Sequence, residues 1–534
     1  GMLLLPFQKN QSPLMVKYKR FQTLPKGNGK IERMILLRTK IIKMKLMKPL
    51  LLTLSIGLFS FTVKAQINSL PVNPSVQKLK EEVKTILNNA FEQDKKTSRQ
   101  LWEYAEVGFK ESKSAALHIQ HLQEAGFTVT TGVGGMPTAF MASYGAGKPI
   151  IGILAEYDAL PGLAQEGGNA QKAVIAGKNA GHGCGHDIFG TASVSASIAI
   201  KKLIEAGKIK GTIRLYGSPA EEGGGGKVYL VRSGVMDDLD VAIHWHPGNK
   251  NEVTMGSALA YKSAKFRFYG ISAHAAASPE LGRSALDGVE AMDQMVNMMR
   301  EHIPQETRIH YVITSGGKAP NVVPDYAEVF YYVRHPKRDN VVAIFDRVTK
   351  AAEGAALGTG TSMKYEVIDG THDLLLNKTL ATLMQTNLEA VGGITYTDAE
   401  KEFALNLQKS FMGNIPPIED AQKVFPMRID EKSGGGSTDV GDVSYTVPTV
   451  GLSTATWVPG TPAHSWQAVS CGTTDIAAKG MINAAKVMAM TAIDLYHQPT
   501  TIQKAKEEFN LLKGNYKYQA LLGDRPPALN YRDN

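Results

Sequence analysis

Residues 181–190 read GHGCGHDIFG, placing His182, Cys184, His186 and Asp187 among glycines. Thiolate and imidazole suit zinc and similar borderline metals, and glycines let the backbone bring such ligands together. The same stretch could equally be a turn opening a helix, one end of a disulfide, or a nucleophile. Three further stretches carry comparable chemistry. In SPAEEGGGGK (218–227), Glu221 and Glu222 follow the apolar run TIRLYG. Adjacent side chains point different ways, so one could hold a metal while the other faces a substrate. Paired acids can also be plain solvated surface. In DVAIHWHP (240–247), His244 and His246 share one strand face by the period of two. In GTPAHSWQ (460–467), His464 sits between turn residues. Each stretch alone has an ordinary structural reading, whereas four of them at the ends of α/β strands make a metal-site pattern.

The surrounding elements must deliver those ends. VQKLKEEVKTILNNAFEQ and SKSAALHIQHLQEAGF repeat apolar residues three and four apart and are predicted helices. PIIGILAEYDAL is a continuous apolar run ending in charge, as expected of a buried strand that carries Glu156 and Asp158 to its edge. ASVSASIAIKKLIEAG reads as a helix, and GTIRLYGSP and DVAIHWHP read as strands. Strands alternating with helices predict an α/β, three-layer sandwich with a mainly parallel central sheet. Near Tyr261 the character changes. AKFRFYGIS, RIHYVITSG and YAEVFYYVRHP alternate with β-branched and aromatic residues, and two amphipathic helices accompany them. This predicts an inserted α+β domain over 261–370, flanked by catalytic segments 66–260 and 371–505, with a tail at 506–534.

The formal charge of +9 is misleading, because residues 1–65 carry thirteen Lys/Arg against one Glu, leaving a net −3 for the rest. That balance gives no reason to expect nucleic acid or an acidic membrane as partner. Within the leader, MKLMKPLLLTLSIGLFSFTVKAQ has lysines, an apolar run too short for a comfortable span, and Val63 and Ala65 before Gln66. Residues 44–65 are therefore expected to be an export signal, leaving no stable membrane span and a periplasmic or secreted protein. Cys184 and Cys471 are the only cysteines, and a bridge between them is the minor reading.

The order GCGHD, EEGGGGK, HWHP, SAHAAASPELGRSAL and GTPAHSW resembles the two-metal metallopeptidases of the aminoacylase and carboxypeptidase G kind. GMPTAFMASYG, AEYDALPGL, GGGGKVYLVRSGVMDDLD and GGGSTDVGDVSY are most similar to the aminobenzoyl-glutamate utilization protein B branch of the amidohydrolases. The resemblance spans roughly residues 75–500. It implies two divalent ions, zinc or manganese, on Cys184, His186, Glu222, His246 and His464, with Cys184 between them. It implies Glu221 as general base, and His274 as a donor to the oxyanion from the inserted domain of a second copy of the chain. That domain would then be both lid and homodimer interface. Asn321 and Arg334 resemble positions that hold a substrate carboxylate, while Asp158 and Asp187 would orient ligand imidazoles. The segment Gly434–Asp439 would line the pocket. His244 departs from the branch and is not counted a ligand. The expected activity is hydrolysis of the amide of an N-acyl or N-aroyl amino acid conjugate, a small-molecule substrate. The alternatives are a dipeptidase or carboxypeptidase on the same residues, or a protein that binds such conjugates without cleaving them.

Overall fold

The computed structural model describes residues 73–253, 255–429 and 436–533. The expected leader at 1–65 and the glycines at 434 and 435 lie outside the described residues.

In chain order the strands are β1 (Thr128–Thr131), β2 (Phe140–Ala146), β3 (Ile150–Glu156), the small pair β4 (Leu160–Pro161) and β5 (Ala180–Gly181), β6 (Gly211–Ser218), β7 (Val241–Gly248), β8 (Glu252–Val253), β9 (Ala260–Tyr269), β10 (Arg308–Ser315), β11 (Tyr326–His335), β12 (Ser362–Thr371) and β13 (Thr449–Ala455). Seven of them form one sheet in the order β1-β2-β6-β3-β7-β13-β8. The central strands β6, β3, β7 and β13 run parallel. Antiparallel β1, β2 and β8 extend the edges. The helices are α1 (Pro74–Tyr104), α2 (Ser112–Glu124), α3 (His186–Glu205), α4 (Glu221–Gly224), α5 (Gly226–Arg232), α6 (Ala285–Met299), α7 (Arg338–Thr359), α8 (Lys378–Val391), α9 (Asp398–Gln408), α10 (Val440–Ser444), α11 (Trp466–Cys471), α12 (Asp475–His497) and α13 (Pro499–Lys513).

The layers follow from the strand period. Ile151, Ile153 and Ala155 of β3 enter one core with Ile188 and Phe189 of α3 and the apolar residues of α12, whereas Ile150 and Leu154 enter another with Val228 and Leu230 of α5. β7 divides the same way, Ile243 and Trp245 going to the first core and Ala242 to the second. A strand buried on both faces needs apolar residues at every position, which explains the unbroken run in β3. Among the described residues α12 alone is long and apolar enough to cross a membrane, but 89% of its apolar window is buried in the protein. It is a core helix.

The second sheet has the order β10-β11-β9-β12, all antiparallel, with α6 and α7 packed on one face through Phe266, Val329, Met292 and Val348. The sequence reading names three of its four strands and passes over β12. Met363, Tyr365 and Val367 do alternate there, but a register shift between Val367 and Asp369 and the charged Lys364 and Glu366 weaken the signal. The expected boundary at 505/506 needs correction, since α13 continues through it to Lys513. Beyond α13 the chain does not fray. Arg232 of α5 donates to the carbonyls of Gly523 and Arg525, at 2.8 Å each.

Candidate metal centre

The C-terminal ends of the parallel strands gather the chemistry. β3 ends on Glu156, with Asp158 two residues beyond; β6 leads through Pro219 and Ala220 to Glu221 and Glu222; β7 carries His246. The loop after β13 brings His464, whose backbone N–H donates to the Gly183 carbonyl at 2.8 Å and pins it to the 181–190 stretch. That stretch is the start of α3. Gly185 caps it at φ +74°, and a Cβ there would lie 2.8 Å from the Cβ of Pro247, beside His246. Glycine is thus required both by the left-handed backbone and by the close approach that sets two ligand-bearing segments together.

Three groups of donors converge: Cys184, His186 and His246; Cys184, Glu222 and His464; and Glu156, His186 and Glu221. In each, one donor atom per residue lies within 4.8 Å of the others. Cys184 Sγ is 3.4 Å from His246 Nε2 and belongs to two groups. His464 Nε2 lies 3.0 Å from Glu222 Oε1, and His186 Nε2 lies 3.1 Å from Glu156 Oε2. Yet Glu222 Oε1, Glu156 Oε2 and His186 Nε2 are buried without a hydrogen-bond partner. Atoms this close that fail to align with one another are arranged as donors to a shared third atom. Buried polar groups left without partners are costly, so this set fits divalent cations.

The supports are specific. Asp158 Oδ1 is 2.9 Å from His186 Nδ1, and its Oδ2 accepts the Glu222 backbone N–H at 2.9 Å. Burial alone would raise the Asp158 pKa, but His186 and the Glu222 N–H offset this and hold it below the ordinary carboxylate range. Glu156 meets Lys227 Nζ at 2.5 Å, and Asp439 meets the same nitrogen at 2.7 Å. Burial opposes the charge on Lys227, while Asp439 and Glu156 keep its ammonium above the usual range. Burial first, then the Glu156, Glu222 and Asp439 carboxylates, push Glu221 well above an ordinary carboxylate. Glu111 accepts the Ala220 N–H at 2.8 Å, fixing the left-handed residue (φ 55°) that turns the chain into the acid pair.

Not every expected site residue joins this cluster. Asp187 is fully buried beside Gly472, but neither of its oxygens has a hydrogen-bond partner, so no ligand imidazole leans on it. Helical geometry explains this: Asp187 and His186 are neighbours on α3 and face different ways. His274 and Asn321 lie together in the second sheet's domain, joined through the His274–Val322 bridge and the Ala275 N–H to Asn321 carbonyl bond of 3.1 Å. Neither lines the cavity at the donor cluster. Arg334 stacks on Tyr261 and Tyr332 and donates to Ser437 Oγ at 3.2 Å; Ser437 does line that cavity. His182 holds the Leu101 carbonyl at 3.1 Å, and both cysteines are free. His244 lines the cavity, with burial lowering its pKa to about 4.

No role is expected from the sequence for Glu156, Lys227 or Glu111, and Asp439 is expected only as the end of a pocket-lining segment, not as the partner of Lys227. Glu156 shares the strand face of Asp158, and Lys227 closes the glycine run after the acid pair, so a signal for both exists. Asp439 and Glu111 lie more than a hundred residues from their partners and leave none. The cavity itself is about 680 Å³ and includes Met255, Phe425, Lys250 and Arg428 beside the donors.

Residues 152–467 match peptidase family M20/M25/M40. The chain is 40% identical over 466 residues to one of the named subunits of the p-aminobenzoyl-glutamate hydrolase of Escherichia coli, covering 82% of this chain and 97% of that protein. It is 29% identical to Xaa-Arg dipeptidase of Mus musculus, covering 70% and 78% of the two chains. A dinuclear metal-binding M20 peptidase from Bacillus subtilis has the same fold, with a TM-score of 0.53 at 16% identity over 78% of this chain and 99% of that one.

Asp158→Asn keeps the volume but removes the charge and one of two acceptors. The variant's affinity for divalent cations, measured by competition with a chromogenic chelator, is expected to fall about 10–100-fold. Unchanged affinity would remove Asp158 from the support of the site.

Proposed function

The chain belongs to peptidase family M20/M25/M40, whose members are metal-dependent hydrolases, and from that premise we propose that it cleaves the amide of N-aroyl or N-acyl amino acid conjugates, p-aminobenzoyl-glutamate first among them. The observation that carries this reading is the acid pair: Glu222 converges with Cys184 and His464, while adjacent Glu221 converges with Glu156 and His186 and borders the same cavity. Two divalent ions on Cys184, His186, Glu222, His246 and His464 would polarise the substrate carbonyl and acidify a water. Glu221 takes the proton of the attacking water and passes it to the departing nitrogen, a role worth about 10²–10⁴-fold.

The cavity supports the substrate class. Its volume of about 680 Å³ lies within the ordinary range for small-molecule sites. Phe425 and Met255 offer an aromatic ring a surface, while Lys250 and Arg428 offer positive charge to carboxylates. Arg334 donates to Ser437, a lining residue of the same cavity, and adds a third cation beside it. The second reading is a dipeptidase. The mouse relative is named for Xaa-Arg peptides, and Glu252 is an acid on the cavity wall.

We also read the second sheet's domain as a lid that meets a second copy. Its edge strand β10 leaves Tyr311, Val312 and Ile313 exposed, an unpaired edge that a soluble protein must cover or blunt. His274 of one copy would then serve the oxyanion in the other. The Escherichia coli relative is named as one subunit of a hydrolase, so a different partner chain is the competing arrangement. Residues 44–65 remain our proposed export signal. Light scattering should return a dimer mass for the purified chain, and N-terminal sequencing of exported protein should begin at Gln66. A monomer, or an intact leader on exported protein, would overturn the respective reading.

Glu221→Gln should keep its divalent ions, by elemental analysis, while kcat on p-aminobenzoyl-glutamate falls by at least about 10²-fold. Full turnover would displace Glu221 as the base. In a panel of p-aminobenzoyl-glutamate, acyl amino acids and Xaa-Arg dipeptides, the first should show the highest kcat/KM. A dipeptide in first place would favour the second reading.

A further inference from the structure

The Glu222 backbone is held from both sides. Its N–H goes to Asp158, while its carbonyl accepts Tyr531 Oη at 2.9 Å and Arg532 Nη2 at 2.5 Å. That carbonyl is available because the segment is not regular helix: Glu222 has ψ 71° and Gly223 has φ 83°. Tyr531 is closely seated. Its ring meets Phe109 edge-on at 5.7 Å, and its hydroxyl occupies the space where a Gly108 side chain would begin, 2.2 Å from that Cβ position. Lys110 bonds Asn530 at 3.2 Å and pairs with Asp533 at 3.0 Å, closing the end of the chain over this loop.

The same segment is anchored at the root of the inserted domain. Arg525 donates to the carbonyls of Val367 and Ile368 in β12. His372, the first residue after β12, has Nε2 2.8 Å from Tyr516 Oη and Nδ1 2.8 Å from Asp442. Tyr518 Oη donates to that same Asp442 carboxylate at 2.7 Å. Arg338, at the start of α7, lies 3.3 Å from the centre of the Tyr516 ring.

We propose that residues 514–533 are a strap that fixes the backbone of the Glu222 ligand and ties it to the root of the inserted domain, with Tyr531 and Arg532 as its positioning residues. The inference rests on the reading of Glu222 as a metal ligand. A carbonyl with two strong donors cannot rotate, so the carboxylate leaves its backbone along one direction. The chemistry of the strap is hydrogen bonding to one peptide group, and it touches no reacting atom.

The test uses the full chain loaded with Co²⁺, comparing Tyr531→Phe, Arg532→Ala and their combination with wild type, Glu222→Gln and Arg525→Ala. Tyr531→Phe keeps the ring on Phe109 and removes only the donor, so it remains informative where Arg532→Ala does not fold. The combined variant is expected to weaken Co²⁺ about 10–100-fold in chelator competition. Its visible ligand-field absorption should change in position or intensity, which a purely structural loss would not produce. Tyr531→Phe alone should move both readouts in the same direction by less. Arg525→Ala, which removes the bonds to the Val367 and Ile368 carbonyls of β12, should reproduce the absorption change with a smaller loss of affinity. Wild-type affinity and absorption in both Tyr531→Phe and the combined variant, alongside weakened Co²⁺ in Glu222→Gln, would overturn the strap alone. Wild-type affinity in Glu222→Gln would overturn the ligand reading and the strap with it. A changed combined variant with an unchanged Arg525→Ala would overturn the tie to the inserted domain.

Discussion

Asp158 joins two segments of the site with the two oxygens of one carboxylate. It stands two residues past the end of β3, and its carboxylate reaches the imidazole of His186 at the start of α3 and the N–H of Glu222 in the loop after β6. A buried carboxylate is expensive unless its oxygens are satisfied. Here satisfying them fixes the His186 ring and the Glu222 backbone. These two candidate ligands lie 36 residues apart in the chain, and one side chain joins them. The rest of the site inherits that geometry. Cys184 is two residues before His186, and Glu221 is next to Glu222.

Negative charge is the second constraint. Glu156, Asp158, Glu221, Glu222 and Asp439 crowd one end of the sheet, and Lys227 is the buried cation placed among them. Lys227 already has two carboxylate partners, Glu156 and Asp439. Glu221 is buried and left with like-charged neighbours, and burial first, then that charge, raise its pKa. Mutual repulsion of this kind destabilises a folded state unless cations answer it. The unpartnered Nε2 of His186 and Oε1 of Glu222 stand among these carboxylates, where divalent cations would offset the negative charge.

Much of this was legible in the sequence, and what was hidden follows a rule. The parallel centre of the sheet could be read because strands buried on both faces must be apolar throughout, as in β3, and the acids at its end then stand out. The donors could be read because Cys, His and Glu sat at predicted strand ends among glycines. Lys227 was in plain view but ambiguous, since a lysine after a glycine run is usually solvated. Its burial depends on Asp439, 212 residues away, and pairing at that range leaves no periodicity. Asp187 shows the converse error. Proximity to His186 along the chain suggested a shared task, but consecutive helical residues diverge, and the acid that orients the ring comes instead from the end of β3.

The C-terminal segment extends that rule from side chains to the backbone. Its last stretch, GDRPPALNYRDN, reads as a surface tail, and nothing in a period of two or 3.6 distinguishes a strap from a frayed end. What distinguishes it is where its donors go. Arg525, Tyr531 and Arg532 all donate to main-chain carbonyls, and Arg525 also pairs with Glu366 at 3.4 Å. Contacts to the main chain depend on the path of the partner segment and hardly at all on its residue types, so they cannot be inferred from composition at either end. They are also well suited to a metal site, because they hold the ligand's backbone while leaving its carboxylate oxygens free for the ion. A side chain recruited to grip Glu222 directly would compete for those oxygens. Holding Glu222 through its N–H and its carbonyl avoids that conflict.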